Sequence, residues 1–384
     1  MKQDKYKELG VSSDKKEVHN AIRSLSPGLF PGSFCKIFAD TLTGSPDHGL
    51  VAHADGTGTK SVMAYHYWKE TGDLNVFHNL AIDAVVMNLD DMICVGALGP
   101  FTYTQNINRN SVHIPYEVIE AIIAGTAKFF EVLEKMYDIK ITYNSGETAD
   151  LNDAVRTLTL DASMVGRIAL TDVIKTNIKP GHVIVGLASA GEAFYEEEYN
   201  SGIGSNGITL ARHCLFSTTH PEMFEPTLGD KAYTGKYKPT TDSFLVGFDM
   251  GQLVLSPTRT YAPVVKEILG SVSRNSISAM IHCSGGGQTK CLNFADSVHI
   301  IKNDLFEIPP IFYDIQRESD QPWQYMYKTF NMGHRFEIYC DKKVAEKIIE
   351  ISEGHDVEAK IVGYVDPANK KELTIESPHG TFTY

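Results

Sequence analysis

The sequence has no Cys-x-x-Cys pair, and its six cysteines (Cys35, Cys94, Cys214, Cys283, Cys291 and Cys340) are too scattered for a zinc spacing. They read as buried, reduced thiols. No stretch approaches the roughly 18 apolar residues of a membrane-spanning helix. The residues Met1–Glu8 hold no apolar core, so no signal peptide is expected and the expected compartment is the cytoplasm. Positive charge is also short. Lysine and arginine total 35 against 48 aspartate and glutamate, giving a net charge of −13, and no basic run occurs. That balance argues against nucleic acid and anionic membranes as partners. A Walker A loop is missing, because no glycine directly precedes Lys60, and so is the Gly-x-Ser-x-Gly elbow of serine hydrolases.

What the chain does contain is interleaved strands and helices over 384 residues, enough for two domains of mixed α and β class. The apolar run Gly49–Ala54 reads as a buried strand, and it leads into Asp55-Gly56-Thr57-Gly58-Thr59-Lys60. Glycines let backbone N–H groups approach an anion, and lysine adds a point charge. The carboxylate repels phosphate but suits a metal ion that phosphate also binds. That combination suggests a Mg-nucleotide site, although an Asp-Gly turn after a strand, taken alone, is usually just a turn. Helices are expected from Asp14-x-x-Glu17 to Leu25, from Asn75 to Val95, from Pro115 to Tyr137 and over Ile208–Phe216, Thr258–Leu269, Trp323–Thr329 and Lys342–Glu353. Strands are expected over Pro100–Asn106, Ile139–Tyr143, Arg156–Ile168, His182–Ala188, Arg335–Cys340, Ala359–Val365 and Leu373–Glu376, with a turn at Asn144–Thr148. The polar link ending in Lys179-Pro180-Gly181 marks the domain boundary, giving domains 1–172 and 173–384.

Adjacent acids Asp90 and Asp91 sit inside an apolar helical pattern, close to its C-terminal end, where the helix dipole disfavours them. Either they line a solvated edge or one faces a metal, and the same choice applies to Asp83. Glu147 also follows a predicted strand. Asp55, Asp90 or Asp91, and Glu147 could therefore converge on one metal-phosphate site. Gly202-x-Gly204-x-x-Gly207 formally matches the dinucleotide fingerprint, but an acidic loop separates it from its strand. It reads as a tight loop that could bind an anion, or as simple turn chemistry. Ser284-Gly285-Gly286-Gly287 is a second possible nest, and Thr329–Gly333 a polar turn before a strand. The pair His282–Cys283 gives no metal site by itself.

Taken in order along the chain, these segments resemble the phosphoribosylformylglycinamidine cyclo-ligase (aminoimidazole ribonucleotide synthetase) family. Tyr6–Val11, Gly32-Ser33-Phe34, Asp55–Lys60, Met87–Asp91 with Gly96-Ala97, Gly146-Glu147-Thr148-Ala149 and Ser205-Asn206-Gly207 are similar to family segments, as are Ser256–Tyr261, Ser284–Gly287 and Thr329–Gly333. Departures are Thr57, Asp90 in place of Asn, Gly204 where the family commonly has His before Ser-Asn-Gly, and Asp150–Asp153 in place of Met-Pro-Gly. The stretch 192–200 looks inserted, and the loop 221–238 looks atypical.

The resemblance implies two α/β domains, with the N-terminal sheet forming a barrel across a homodimer. It implies ATP-dependent closure of formylglycinamidine ribonucleotide to aminoimidazole ribonucleotide, with ATP and Mg²⁺. Asp55, Asp91 and Glu147 would hold the metal. Lys60 would neutralise phosphate, with Gly56, Gly58, Thr59 and Thr148 at the nucleotide. Ser205, Asn206, Gly207, Gly285, Gly286 and Gly287 would bind substrate. Arg259 would contact a phosphate or form a structural ion pair. Rival expectations are another ATP-dependent enzyme of the same superfamily, a nucleotide-binding homologue without turnover and, more distantly, a nicotinamide oxidoreductase.

Overall fold

The structure is a computed structural model that describes residues 4–12 and 16–384. Asp14, the expected helix cap, lies outside the described residues. Two sheets carry the fold. The first contains β1 (Ile37–Ala39), β2 (His48–Gly56), β3 (Phe101–Arg109), β4 (Ile141–Asp150) and β5 (Leu158–Ala169), in the order β1-β2-β5-β3-β4. Its neighbours are antiparallel except for β3 and β4, which run parallel. The preceding short helices are α1 (Lys5–Glu8) and α2 (Lys16–Ala21). Then α3 (Lys60–Thr71) leaves β2 through the glycine turn, and α4 (Asn75–Ile93) and α5 (Tyr116–Tyr137) cover one face of the sheet. Alternation explains the layering: in β3, Phe101, Tyr103, Gln105 and Ile107 point into the core, while Thr102 and Asn106 face outward.

The second sheet has the order β14-β13-β10-β12-β6-β11-β9. Its strands are β6 (Val183–Ala188), β9 (Ile277–His282), β10 (Val298–Lys302), β11 (His334–Cys340), β12 (Ala359–Pro367), β13 (Glu372–Ser377) and β14 (Gly380–Thr383), with a separate two-stranded pair, β7 (Ala190–Gly191) and β8 (Asn200–Ser201). Helices α6 (Ile208–Leu215), α7 (Met250–Leu255), α8 (Ala262–Ser271), α9 (Pro310–Ser319), α10 (Trp323–Thr329) and α11 (Lys342–Glu353) accompany it. Strands β6, β9 and β11 are buried along their whole length.

Helix α4 is buried along most of its length because it is sandwiched between the first sheet and the C-terminal half. It stops just before Gly96, whose φ of 86° suits only glycine comfortably. Three expectations need correction. Asn144–Thr148 is no turn: β4 runs straight through it, held by parallel pairing to β3 as far as Asp150. The segment Thr258–Tyr261 is irregular rather than helical, and its backbone and hydroxyls bond to acids on α4. The strand expected from Arg156 starts at Leu158. Among the described residues, no helix is long and apolar enough to cross a membrane.

Candidate functional site

The sequence left open which acids of α4 face inward, and the structure turns Asp83, Asp90 and Asp91 all toward the C-terminal half. The spacing i, i+4, i+7, i+8 places Asp83, Met87, Asp90 and Asp91 on one stripe. Asp83 is a hub. Its Oδ1 accepts from Lys60 Nζ at 2.9 Å, Ser205 Oγ at 2.9 Å, Thr258 N at 2.7 Å and Thr258 Oγ1 at 2.5 Å. Its Oδ2 is buried without a hydrogen-bond partner. Lys60 is fully buried and also donates to the Ser256 carbonyl. Burial lowers the Lys60 pKa, and Asp83 pulls against that shift. Lys60 is therefore a buried clamp joining the two halves, rather than an exposed phosphate contact.

Two turns further on, Asp90 accepts from Thr260 Oγ1 at 2.6 Å and Tyr261 N at 2.9 Å. Burial pushes its carboxyl up to about 7, against the lowering effect of those hydrogen bonds. Asp91 sits between two imidazoles, His282 Nδ1 at 2.7 Å and His53 Nε2 at 3.2 Å. Burial alone would raise Asp91, but these two histidines overrule it and hold its carboxyl well below the usual range. The two rings differ. His282 accepts at Nε2 from Arg335 Nε, so it donates at Nδ1 and is neutral, its pKa lowered by burial to about 4. His53 faces acceptors on both nitrogens, Asp91 and Asn88 Oδ1. Burial would lower its pKa, but Asp91 and Asp55 raise it overall.

In the glycine turn, a Cβ on Gly56 would overlap Asp161 and the Leu160 carbonyl, whereas Gly58, at φ 53°, faces open space. Asp55 is exposed at the end of β2. The turn feeds the N-terminus of α3, and Ser205-Asn206-Gly207 feeds the N-terminus of α6. These two helix starts are joined by a 2.8 Å bond between Thr59 Oγ1 and Thr209 Oγ1. Thr59 thus spends its hydroxyl on α6. Ser205 and Asn206 are half-exposed beside them, and Gly285 is half-exposed in the Ser284–Gly287 turn, with Gly286 and Gly287 buried beneath it.

Other expected members lie apart. Asp55 shares a cross-strand row with Ala162, Gln105 and Gly146. Three strand spacings therefore separate it from the Glu147 region, about 14 Å. Glu147 and Thr148 are exposed on the edge strand β4. The three-acid cage is corrected accordingly: within one chain Asp55, Asp91 and Glu147 do not meet, and among the described residues no group of three or more His, Cys, Asp or Glu is arranged to hold a metal. Arg259 has the structural role. It pairs with Glu196 of the inserted stretch through Nε and Nη2, and Nη1 donates to the Ala188 and Ala190 carbonyls at 3.1 Å each. A cavity of about 360 Å³ lies on the outer side of this pair, between α4, α5 and residues 195–200, away from the glycine turns. Sequence reading missed His53, His282 and Arg335. The one available signal was that Gly204 directly precedes, and Arg335 closely follows, a family-like segment.

The chain is similar to known proteins over most of its length. The family model described as "AIR synthase related protein, N-terminal domain" matches residues 38–168, and the corresponding C-terminal domain model matches residues 179–376. A phosphoribosylformylglycinamidine cyclo-ligase of Methanococcus vannielii is 30% identical over 325 residues, covering 83% of this chain and 78% of that protein. Its Carboxydothermus hydrogenoformans counterpart is 26% identical over 387 residues, covering 97% and 98%. Among solved structures, a chain of the HypE–HypF complex superposes with a TM-score of 0.55 at 15% identity, covering 96% and 97%. Thermotoga maritima PurL complexed with ADP gives 0.51 at 13%, covering 88% of this chain and 43% of that one. The chain belongs to the AIR synthase related family, among the phosphoribosylformylglycinamidine cyclo-ligases.

Proposed function

We propose that this enzyme closes the imidazole ring of formylglycinamidine ribonucleotide at the expense of ATP, forming a C–N bond and releasing ADP and phosphate. One observation carries the reading: the segments 55–60, 205–207 and 282–287 converge on the acid stripe of α4. An amide oxygen is a poor leaving group. ATP phosphorylates it, the neighbouring amidine nitrogen attacks the same carbon, and phosphate departs. Such a transfer needs positioning and charge stabilisation more than a protein nucleophile.

The residues supply both. The paired N-termini of α3 and α6 present backbone N–H groups and positive dipole ends to a polyphosphate. Lys60 and Asp83 fix Ser205 and Thr258 across the domain boundary, so substrate groups on the C-terminal half meet the nucleotide in one register. The donor set of one chain suits a magnesium ion carried largely by phosphate and water, with Asp55 as its protein carboxylate, and not a three-acid cage. When bound, that ion would neutralise phosphate charge. Glu147 and Thr148 would act from a second copy, if the exposed face of the first sheet, with Ala52, Ala54, Thr102 and Asn106, packs against its twin.

The test is an assay of purified protein with Mg-ATP and formylglycinamidine ribonucleotide. ADP and aminoimidazole ribonucleotide should appear one for one. Nucleotide binding without product would overturn the reading.

A further inference from the structure

Strand β11 begins with a β-bulge. His334 pairs with Ala188 of β6 and Phe336 with Leu187, so Arg335 is the extra residue. Bulges re-aim side chains, and here the guanidinium leaves the second sheet and enters the site between the halves. It is 1% exposed. Nε donates to His282 Nε2 at 2.9 Å, and Nη2 lies 3.2 Å from Met87 Sδ and 3.4 Å from Asn206 Oδ1. Nη1 is buried with no hydrogen-bond partner. Leaving a buried charged donor unpaired is costly, and a visiting oxygen would offset that cost. The surrounding has been cleared for it. Gly204 has φ 68°, and a Cβ there would overlap Nη1 and Cζ of Arg335. The guanidinium thus fills the space that a side chain at 204 would need.

We propose, resting on the cyclo-ligase reading, that Arg335 is a substrate-binding residue whose unpaired Nη1 takes an anionic oxygen, either of the ribonucleotide or of the phosphoryl group in transfer. Arginine suits this because its charge is permanent and its fork is rigid. One edge is spent on His282 and Asn206, which leaves the other for ligand. Gly204 is the permissive half of the pair.

Steady-state kinetics with formylglycinamidine ribonucleotide and ATP varied independently test this on wild type, Arg335→Gln, Arg335→Lys and Gly204→Ala, each checked by thermal melting. If the oxygen belongs to the ribonucleotide, Arg335→Gln raises the ribonucleotide KM about tenfold or more and leaves the ATP KM alone. If it belongs to the moving phosphoryl group, kcat falls by a similar factor with both KM values kept. Arg335→Lys recovers part of the loss, because the charge stays and the fork goes. Gly204→Ala keeps every charge, displaces the guanidinium end and shifts the same constant. Folded Arg335→Lys and Gly204→Ala proteins with wild-type kcat and both KM values would make Arg335 a structural cation only and overturn the proposal. A wild type without turnover would instead overturn the underlying reading, and the proposal with it.

Discussion

Replacing Asp83 by alanine removes the counter-charge of a lysine that has no exposed surface. Breaking a buried pair by deleting one partner costs about 3–5 kcal/mol. At about 2.1 cal/mol/K of unfolding entropy per residue, a chain of 384 residues shifts by about 1.2 °C per kcal/mol, so the melting midpoint should drop by roughly 4–6 °C. The deficit should also depend on pH in a defined direction. Burial already lowers the Lys60 pKa in the wild type, with Asp83 opposing it. Without Asp83 the folded-state pKa falls further, while the unfolded value stays near about 10.4. Between the variant's folded pKa and the wild type's, the variant's unfolded state binds more protons than its folded state. Its stability therefore rises with pH, by at most about 1.4 kcal/mol per unit, while the wild type does not yet gain. Circular-dichroism melts from about pH 7 to about pH 10 should show the variant recovering part of the gap. A midpoint equal to wild type, or a gap that widens with pH, would refute the assignment of Lys60 and Asp83 as the clamp between the halves.

Asp55→Asn should leave the unfolding free energy within about 0.5 kcal/mol of wild type, as for other exposed sites, while turnover at limiting Mg²⁺ falls at least tenfold. Unchanged turnover would remove Asp55 from the site. Asp90 gives a pH-dependent prediction of opposite sign to Lys60. Its folded pKa is raised to about 7, so the folded state binds more protons, and wild-type stability falls between about pH 4 and pH 7, by at most about 1.4 kcal/mol per unit. Asp90→Asn should flatten that slope in urea titrations, and an identical slope would contradict the buried-acid account.

Much of this site was legible in the sequence because its chemistry sits in backbone-constrained segments. The Asp55–Lys60 turn and the Ser205–Gly207 loop announce themselves through glycine, and α4 through an unbroken apolar pattern carrying acids where acids are costly. Four features were not legible, each for a physical reason. Periodicity cannot choose a face on a helix that is buried almost all round, so the inward turn of Asp83, Asp90 and Asp91 had to be seen. Glu147 follows residues that read as a turn, yet parallel pairing to β3 holds it extended on an edge strand. Lys60 looked like a phosphate ligand because nothing nearby in sequence offered it a partner, and that partner arrives from a helix 23 residues later. Arg335 depends on a bulge and on the absent side chain of Gly204, two facts that lie 131 positions apart and acquire meaning only together.

The central chemical claim is that ATP activates the amide oxygen, and isotope tracing reads it directly. Substrate labelled with ¹⁸O at the formylglycinamidine amide, turned over in unlabelled water, should yield inorganic phosphate carrying one heavy oxygen, alongside unlabelled ADP. Phosphate without label, with turnover intact, would contradict it.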